Sequence, residues 1–147
     1  MKIRRRAAMA GTAVAALALV TGMTGTAQAT PASPGVVGKT LTQTTVGDTD
    51  YILREISVPP GGTTGWHYHV GTLYGVVKQG TLSHFDSSCQ SDGVYRTGGT
   101  IVEHPGADHV HIGRNLGDTT LVLDVLYVLP HGAPLSVDAP NPGCDFQ

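Results

Sequence analysis

An all-β fold, a single-domain barrel or sandwich, follows from three features of the 147-residue sequence. Beyond residue 40 the apolar residues come in short β-prone runs. Gly and Pro turns separate the runs, and nowhere after the first segment do apolar residues hold a 3.6-residue period for ten positions. The 20 glycines suit the tight turns of such a fold.

Taken in order, the chain opens with Lys2, Arg4, Arg5 and Arg6, an apolar run from Ala7 to Val20, and "AQA" at Ala27–Ala29. A basic start, a short apolar stretch and a small-x-small ending form a signal peptide, so residues 1–29 are expected to be removed and the product secreted. The remaining 118 residues keep five basic side chains against eleven acidic ones, a net charge of −6 with neutral histidines. That balance and the lack of any basic cluster argue against nucleic acid or an anionic membrane as partners. No second long apolar stretch follows, so the processed chain is expected to stay off the membrane.

Residues 30–39, rich in Pro, Gly and small side chains, read as a flexible arm, and 40–147 as the barrel. Tyr51–Val58 is a strand stopped by Pro59-Pro60-Gly61-Gly62. "LYGVVKQG" and "TLSHF" read as a hairpin around Gly80. Thr100–His104 is a strand ended by Pro105, and Thr119–Leu129 a long apolar strand ended by Pro130. The Pro-rich tail after it cannot be a central strand and is expected to wrap the barrel surface. Cys89 and Cys144, an even count in an exported chain, are expected to pair and tie the tail down.

The histidines carry the chemistry. His67 and His69 alternate in "GWHYHV", so in a strand both rings leave one face, roughly 7 Å apart at the backbone. His109 and His111 repeat the pattern in "DHVHIG". Two facing strands of this kind bring three or four imidazole nitrogens to one point, a site for one divalent transition metal, with Fe, Zn, Cu, Ni and Mn all open. Trp66 and Tyr68 face the other way, into packing. His84 and His131 read as surface residues, and Glu103 and His104 as rim positions or groups beside the metal ligands.

The spacing from Gly61 through His67 and His69 to Gly80 resembles the first cupin motif, G-x5-H-x-H-x3-E-x6-G. Gly99, Pro105, His111 and Asn115 resemble the second, with one residue inserted after the proline. The resemblance implies a single-domain, jelly-roll-like cupin β-barrel. It implies His67, His69 and His111 as metal ligands, with His109 either a fourth ligand or a base beside the metal. The glutamate of the first motif is missing: its place falls on Leu73, or on Tyr74 if a bulge at Gly71 shifts the strand, so these two are the expected substrate-facing wall. The implied activity is metal-dependent, dioxygenase-like chemistry on a small organic molecule. A non-catalytic metal or small-ligand binding module and a metal-free isomerase or epimerase stand as alternatives, and no catalytic residue is singled out. Pairing of edge strands would allow a homodimer.

Overall fold

The computed structural model describes residues 29–147, so the expected signal segment lies outside the described residues except for Ala29. Ten strands form two antiparallel five-stranded sheets. The first runs in the order β1 (Val37–Val46), β2 (Thr49–Val58), β9 (Leu121–Pro130), β4 (Thr72–Gln79), β7 (Thr100–Glu103). The second runs β10 (Val137–Asp138), β3 (His67–Tyr68), β8 (His111–Arg114), β5 (Thr81–Asp86), β6 (Ser91–Arg96).

Strand alternation places the core. Along β9, Leu121, Leu123, Val125, Tyr127 and Leu129 are buried, while the residues between them are only half-buried. Ile52 and Val58 of β2, Leu73 and Val77 of β4, Ile101 of β7 and Leu82 of β5 meet them between the sheets. A period of two on both sheets therefore leaves one shared apolar interior, the main source of stability in a fold of this kind.

The outer face of the second sheet carries a smaller apolar cluster of Trp66, Ile112 and Ala139, with Phe85, Cys144 and Phe146 packed against it. The tail folds over this face as expected. Phe146 stacks on Trp66 at 6.0 Å between ring centroids, the Arg114 guanidinium lies 4.5 Å from the Phe146 ring centre, and Cys144 is disulfide-bonded to Cys89. A bridge across 55 residues stabilises by about 4 kcal/mol in the chain-entropy treatment, and it fits an oxidising compartment.

Two readings change. Residues 30–39 are not a free arm: the Thr30 amide donates to the Ala139 carbonyl at 3.0 Å, and the Thr30 hydroxyl accepts the Trp66 amide at 2.7 Å. The crossing depends on Gly65, which has φ +73° and whose added Cβ would lie 2.1 Å from the Thr30 carbonyl oxygen. From Val37 the chain is already strand β1. The runs flanking Gly80 do not pair with each other either. β4 belongs to the first sheet and β5 to the second, so Gly80 (φ +78°) turns the chain from one sheet to the other. Local sequence shows a turn there but not which partners the strands take, because pairing is decided by burial of both inner faces.

Candidate metal centre

The site begins with one cross-strand pair: His67 of β3 sits opposite His111 of β8. His69 follows two residues after His67. The ring centroids of His67 lie 4.8 Å from His69 and 4.5 Å from His111, and all three residues are buried. One ring nitrogen from each falls within 4.8 Å of the other two.

Backbone carbonyls set the tautomers. Nδ1 of His67 donates to Gly65 O at 2.8 Å, Nδ1 of His69 to Leu135 O at 2.7 Å, and Nδ1 of His111 to His109 O at 2.8 Å. A carbonyl only accepts, so each Nδ1 holds the proton and each neutral ring presents Nε2 as a lone pair. Burial, then the neighbouring His111 and His69, pushes His67 down to about 3, and burial lowers His111 as well.

Into this group of acceptors projects a further acceptor. Glu103 ends β7, directly opposite Leu73 of β4. Its Oε2 lies 3.1 Å from His69 Nε2 and 3.6 Å from His111 Nε2. Such separations are those of donors sharing one ion at bonds of about 2.0–2.2 Å. Burial opposes the charge on Glu103, but the surrounding side chains of His69, His84 and His111 outweigh it and hold the carboxyl well below the usual range. Nε2 of His69 and of His111 is buried without a hydrogen-bond partner. Lone pairs facing a carboxylate repel unless positive charge lies between them. A proton on His69 would relieve one contact; a metal ion would relieve all of them. The buried imidazoles of His67, His69 and His111 therefore fit a divalent transition metal, and Glu103 forms a second group of the same reach with His84 and His111.

Glu103 is steadied from behind. His84 of β5 accepts no carbonyl constraint; instead Nδ1 donates to Asp92 Oδ1 at 2.6 Å and Nε2 faces Glu103 Oε1 at 3.5 Å. Burial would lower His84, yet the Asp92 and Glu103 carboxylates outweigh it and raise it to about 9. The His84 imidazolium thus lies between two carboxylates, hydrogen-bonded to Asp92 and in ion-pair range of Glu103.

The structure places the remaining candidates apart. Leu73 is inward and buried, beside Glu103 and in the wall of the same cavity as His67 and His69. Tyr74 points to the opposite face and is 50% exposed, because β4 pairs with β9 in unbroken register from Thr72 to Val77, with no shift at Gly71. It does not line the interior. The side chain of His109 is 50% exposed and lies beside Asp108 rather than among the other rings. His131 lies at the surface, bonded to Asp50.

Two members stand elsewhere than the sequence suggests: Glu103 lies beside the histidines rather than at the rim, and His84 is buried rather than at the surface. The signal was the same period of two that located the strands: Ile101 and Glu103 share a face of "TIVEH", and Leu82 and His84 share a face of "TLSHF". On the neighbouring strand Glu103 pairs opposite Leu73 and brings a carboxylate to the histidines.

Two cavities meet at this cluster. One of about 260 Å³ is polar, lined by His84, Asp86, Asp92, Glu103 and His111 among others. The other, about 220 Å³, lies between the sheets and is lined by His67, His69 and Glu103 with Leu73, Leu82, Leu123, Val125, Arg54 and Tyr127. Burial raises the Tyr127 phenol to about 12, so it remains a hydrogen-bond donor.

No protein-family model matches the chain, and neither does any curated protein. Solved structures do match. A cupin domain from Bordetella pertussis is 23% identical, covering 65% of this chain and 94% of its own, with a TM-score of 0.52. The chain has the cupin fold. The likeness extends to a double-stranded β-helix protein from Klebsiella pneumoniae (20% identity, 73% of this chain and 87% of that one, TM-score 0.55). It extends also to a polyketide cyclase from Streptomyces resistomycificus (20% identity, 76% and 78%, TM-score 0.59). At these identities the shared feature is the cupin architecture.

The buried rings have a consequence for stability. In the unfolded chain His67 takes up a proton near pH 6.5; folded, it resists until about 3. Between those values only the unfolded state gains the proton, so stability falls as pH drops from about 6.5 toward 3, by on the order of 4–5 kcal/mol from this ring. His84 has the opposite sign: its contribution is full below about 6.5 and is lost as pH rises through about 9. Denaturant unfolding of metal-free protein from pH 4 to 9 is expected to show both limbs, and His67→Gln is expected to flatten the acid one. An unchanged acid slope in that variant would contradict the assignment.

Proposed function

We propose that this protein is an exported, metal-dependent cupin that acts on a small organic molecule, with dioxygenase-like chemistry as the leading class. The observation that carries the reading is the convergence of three buried imidazoles, each fixed as an Nε2 donor by a carbonyl, on a carboxylate in the wall of a partly apolar cavity. A bound metal of this kind supplies Lewis acidity, and a redox-active one supplies oxygen chemistry.

The chain's own groups divide the remaining work. Leu73, Leu82, Leu123 and Val125 exclude water from one side of the site and favour an apolar substrate body. Tyr127, inward and buried against His69 at 6.0 Å between ring centroids, offers a hydroxyl proton to a substrate oxygen. The Asp92–His84–Glu103 chain holds a proton next to the cluster without using the ligand nitrogens. Three neutral imidazoles and one carboxylate leave a divalent ion with a net positive charge, which favours an anionic group beside it. A purely structural histidine cluster would have no use for acceptors aimed at a carboxylate.

The test is metal analysis of protein isolated from its export route, followed by oxygen uptake of the Fe(II)-loaded form with small phenols, diketones and thiols. One equivalent of metal per chain and substrate-dependent uptake are expected. Metal without uptake would leave the binding-module reading, and neither would favour the metal-free one.

A further inference from the structure

Arg54 occupies a place where the fold calls for an apolar side chain. Along β2 the inward positions are Ile52, Arg54, Ile56 and Val58, so the half-buried Arg54 side chain lines the cavity that contains His67, His69 and Glu103, with its outer end reaching the exposed Gly38 carbonyl. One nitrogen, Nη2, donates to the Gly38 carbonyl at 2.8 Å. Gly38 leaves room for this approach, since an added Cβ there would lie 2.6 Å from Nη2. Nε is buried and has no hydrogen-bond partner. Among the described residues no carboxylate lies within 4.0 Å of the guanidinium; Lys78 is the only lysine or arginine there with such a partner. A buried, unsatisfied donor on a permanent cation is costly to keep. Tyr127 lines the same cavity, stands against His69 and lies close enough to Arg54 for the guanidinium to act on its phenol, so phenol, guanidinium and imidazoles share one space.

We infer that the cavity takes a small carboxylate with an apolar body, its anionic group held by Arg54. The inference rests on the reading of this cavity as the substrate site, and it adds the ligand's charge and the residue that selects it. A guanidinium suits a carboxylate because its parallel N–H groups match two oxygens. The aliphatic lining accepts the body of the ligand, and the acidic Glu103 disfavours a second anionic group unless a metal is bound.

Benzoate and its neutral isostere benzamide are suitable probes, titrated calorimetrically into wild-type protein, Arg54→Met and Arg54→Lys, each metal-free and zinc-loaded. Wild-type protein is expected to prefer benzoate by about tenfold or more even without metal, where no ion can account for the preference. Arg54→Met is expected to lose that preference when metal-free while binding zinc within about twofold of wild type, and Arg54→Lys to retain part of it. Equal affinity for the two probes in the wild-type protein would overturn the inference, whatever the variants do. So would a preference that survives in Arg54→Met, since Arg54 would then serve only to fasten β1 through Gly38. Benzoate preference in a protein that takes up no zinc would leave this inference standing and remove the metal-centre reading; zinc uptake without the preference would do the reverse.

Discussion

His111→Ala is expected to abolish stoichiometric binding of a divalent transition metal, whereas His109→Ala, two residues earlier, is expected to leave it unchanged. The two histidines alternate in one segment and look equivalent in sequence. In the structure the ring of His111 is buried against His67 and within 3.6 Å of Glu103, while that of His109 is half exposed beside Asp108. Removing His111 deletes a donor and leaves His67, His69 and Glu103 around an unfilled corner. The loss of affinity is expected to exceed the roughly 10–100-fold typical of removing an outer partner of a metal ligand. Competition titration with a chromogenic zinc chelator measures both variants. An equal loss in the two, or a loss confined to His109→Ala, would contradict the ligand assignment.

Leu73→Glu is expected to give the largest change in stability. It would restore the glutamate of the cupin motif at a position opposite Glu103, whose carboxylate already lies beside His69 and His111. Two carboxylates side by side on a buried wall repel each other, and the metal-free variant is expected to lose about 3–5 kcal/mol, the scale of an uncompensated buried charge. Metal should recover much of that loss by linkage. Tyr74→Glu, on the outer face, is expected to change stability by no more than about 0.5 kcal/mol and to show no metal dependence beyond that of wild type. The exchange Leu73→Glu with Glu103→Leu moves the carboxylate across the strand pair and is expected to regain stability and metal binding together. Denaturant unfolding with and without Mn(II) separates these outcomes. A metal-free Leu73→Glu protein as stable as Tyr74→Glu would show that Glu103 does not occupy that corner.

Much of this was legible in residue spacing. The two H-x-H pairs, the glycines around them and the alternation of β9 carry both the fold class and three of the four proposed ligands. Glu103 was harder to place because the motif expects its carboxylate on β4, four residues after His69, and pairing between β4 and β7 is a long-range fact. His84 was read as a surface residue because a histidine in a short polar run carries no mark of burial; its partners Asp92 and Glu103 lie on two other strands. Arg54 shows the opposite case. Its place in "YILREISV" puts it in phase with Ile52 and Ile56, and only the usual expectation that arginine faces water hid its inward position. The Gly80 turn and the fastened residues 30–39 depend on contacts between distant segments that local composition does not encode.

The most direct test of the metal centre is a crystal of the zinc-loaded protein with anomalous diffraction data collected across the zinc absorption edge. One peak per chain is expected, within bonding distance of Nε2 of His67, His69 and His111 and of a Glu103 carboxylate oxygen. A peak among the exposed side chains of His104, Asp108 and His109, or no ordered zinc between the sheets, would contradict it.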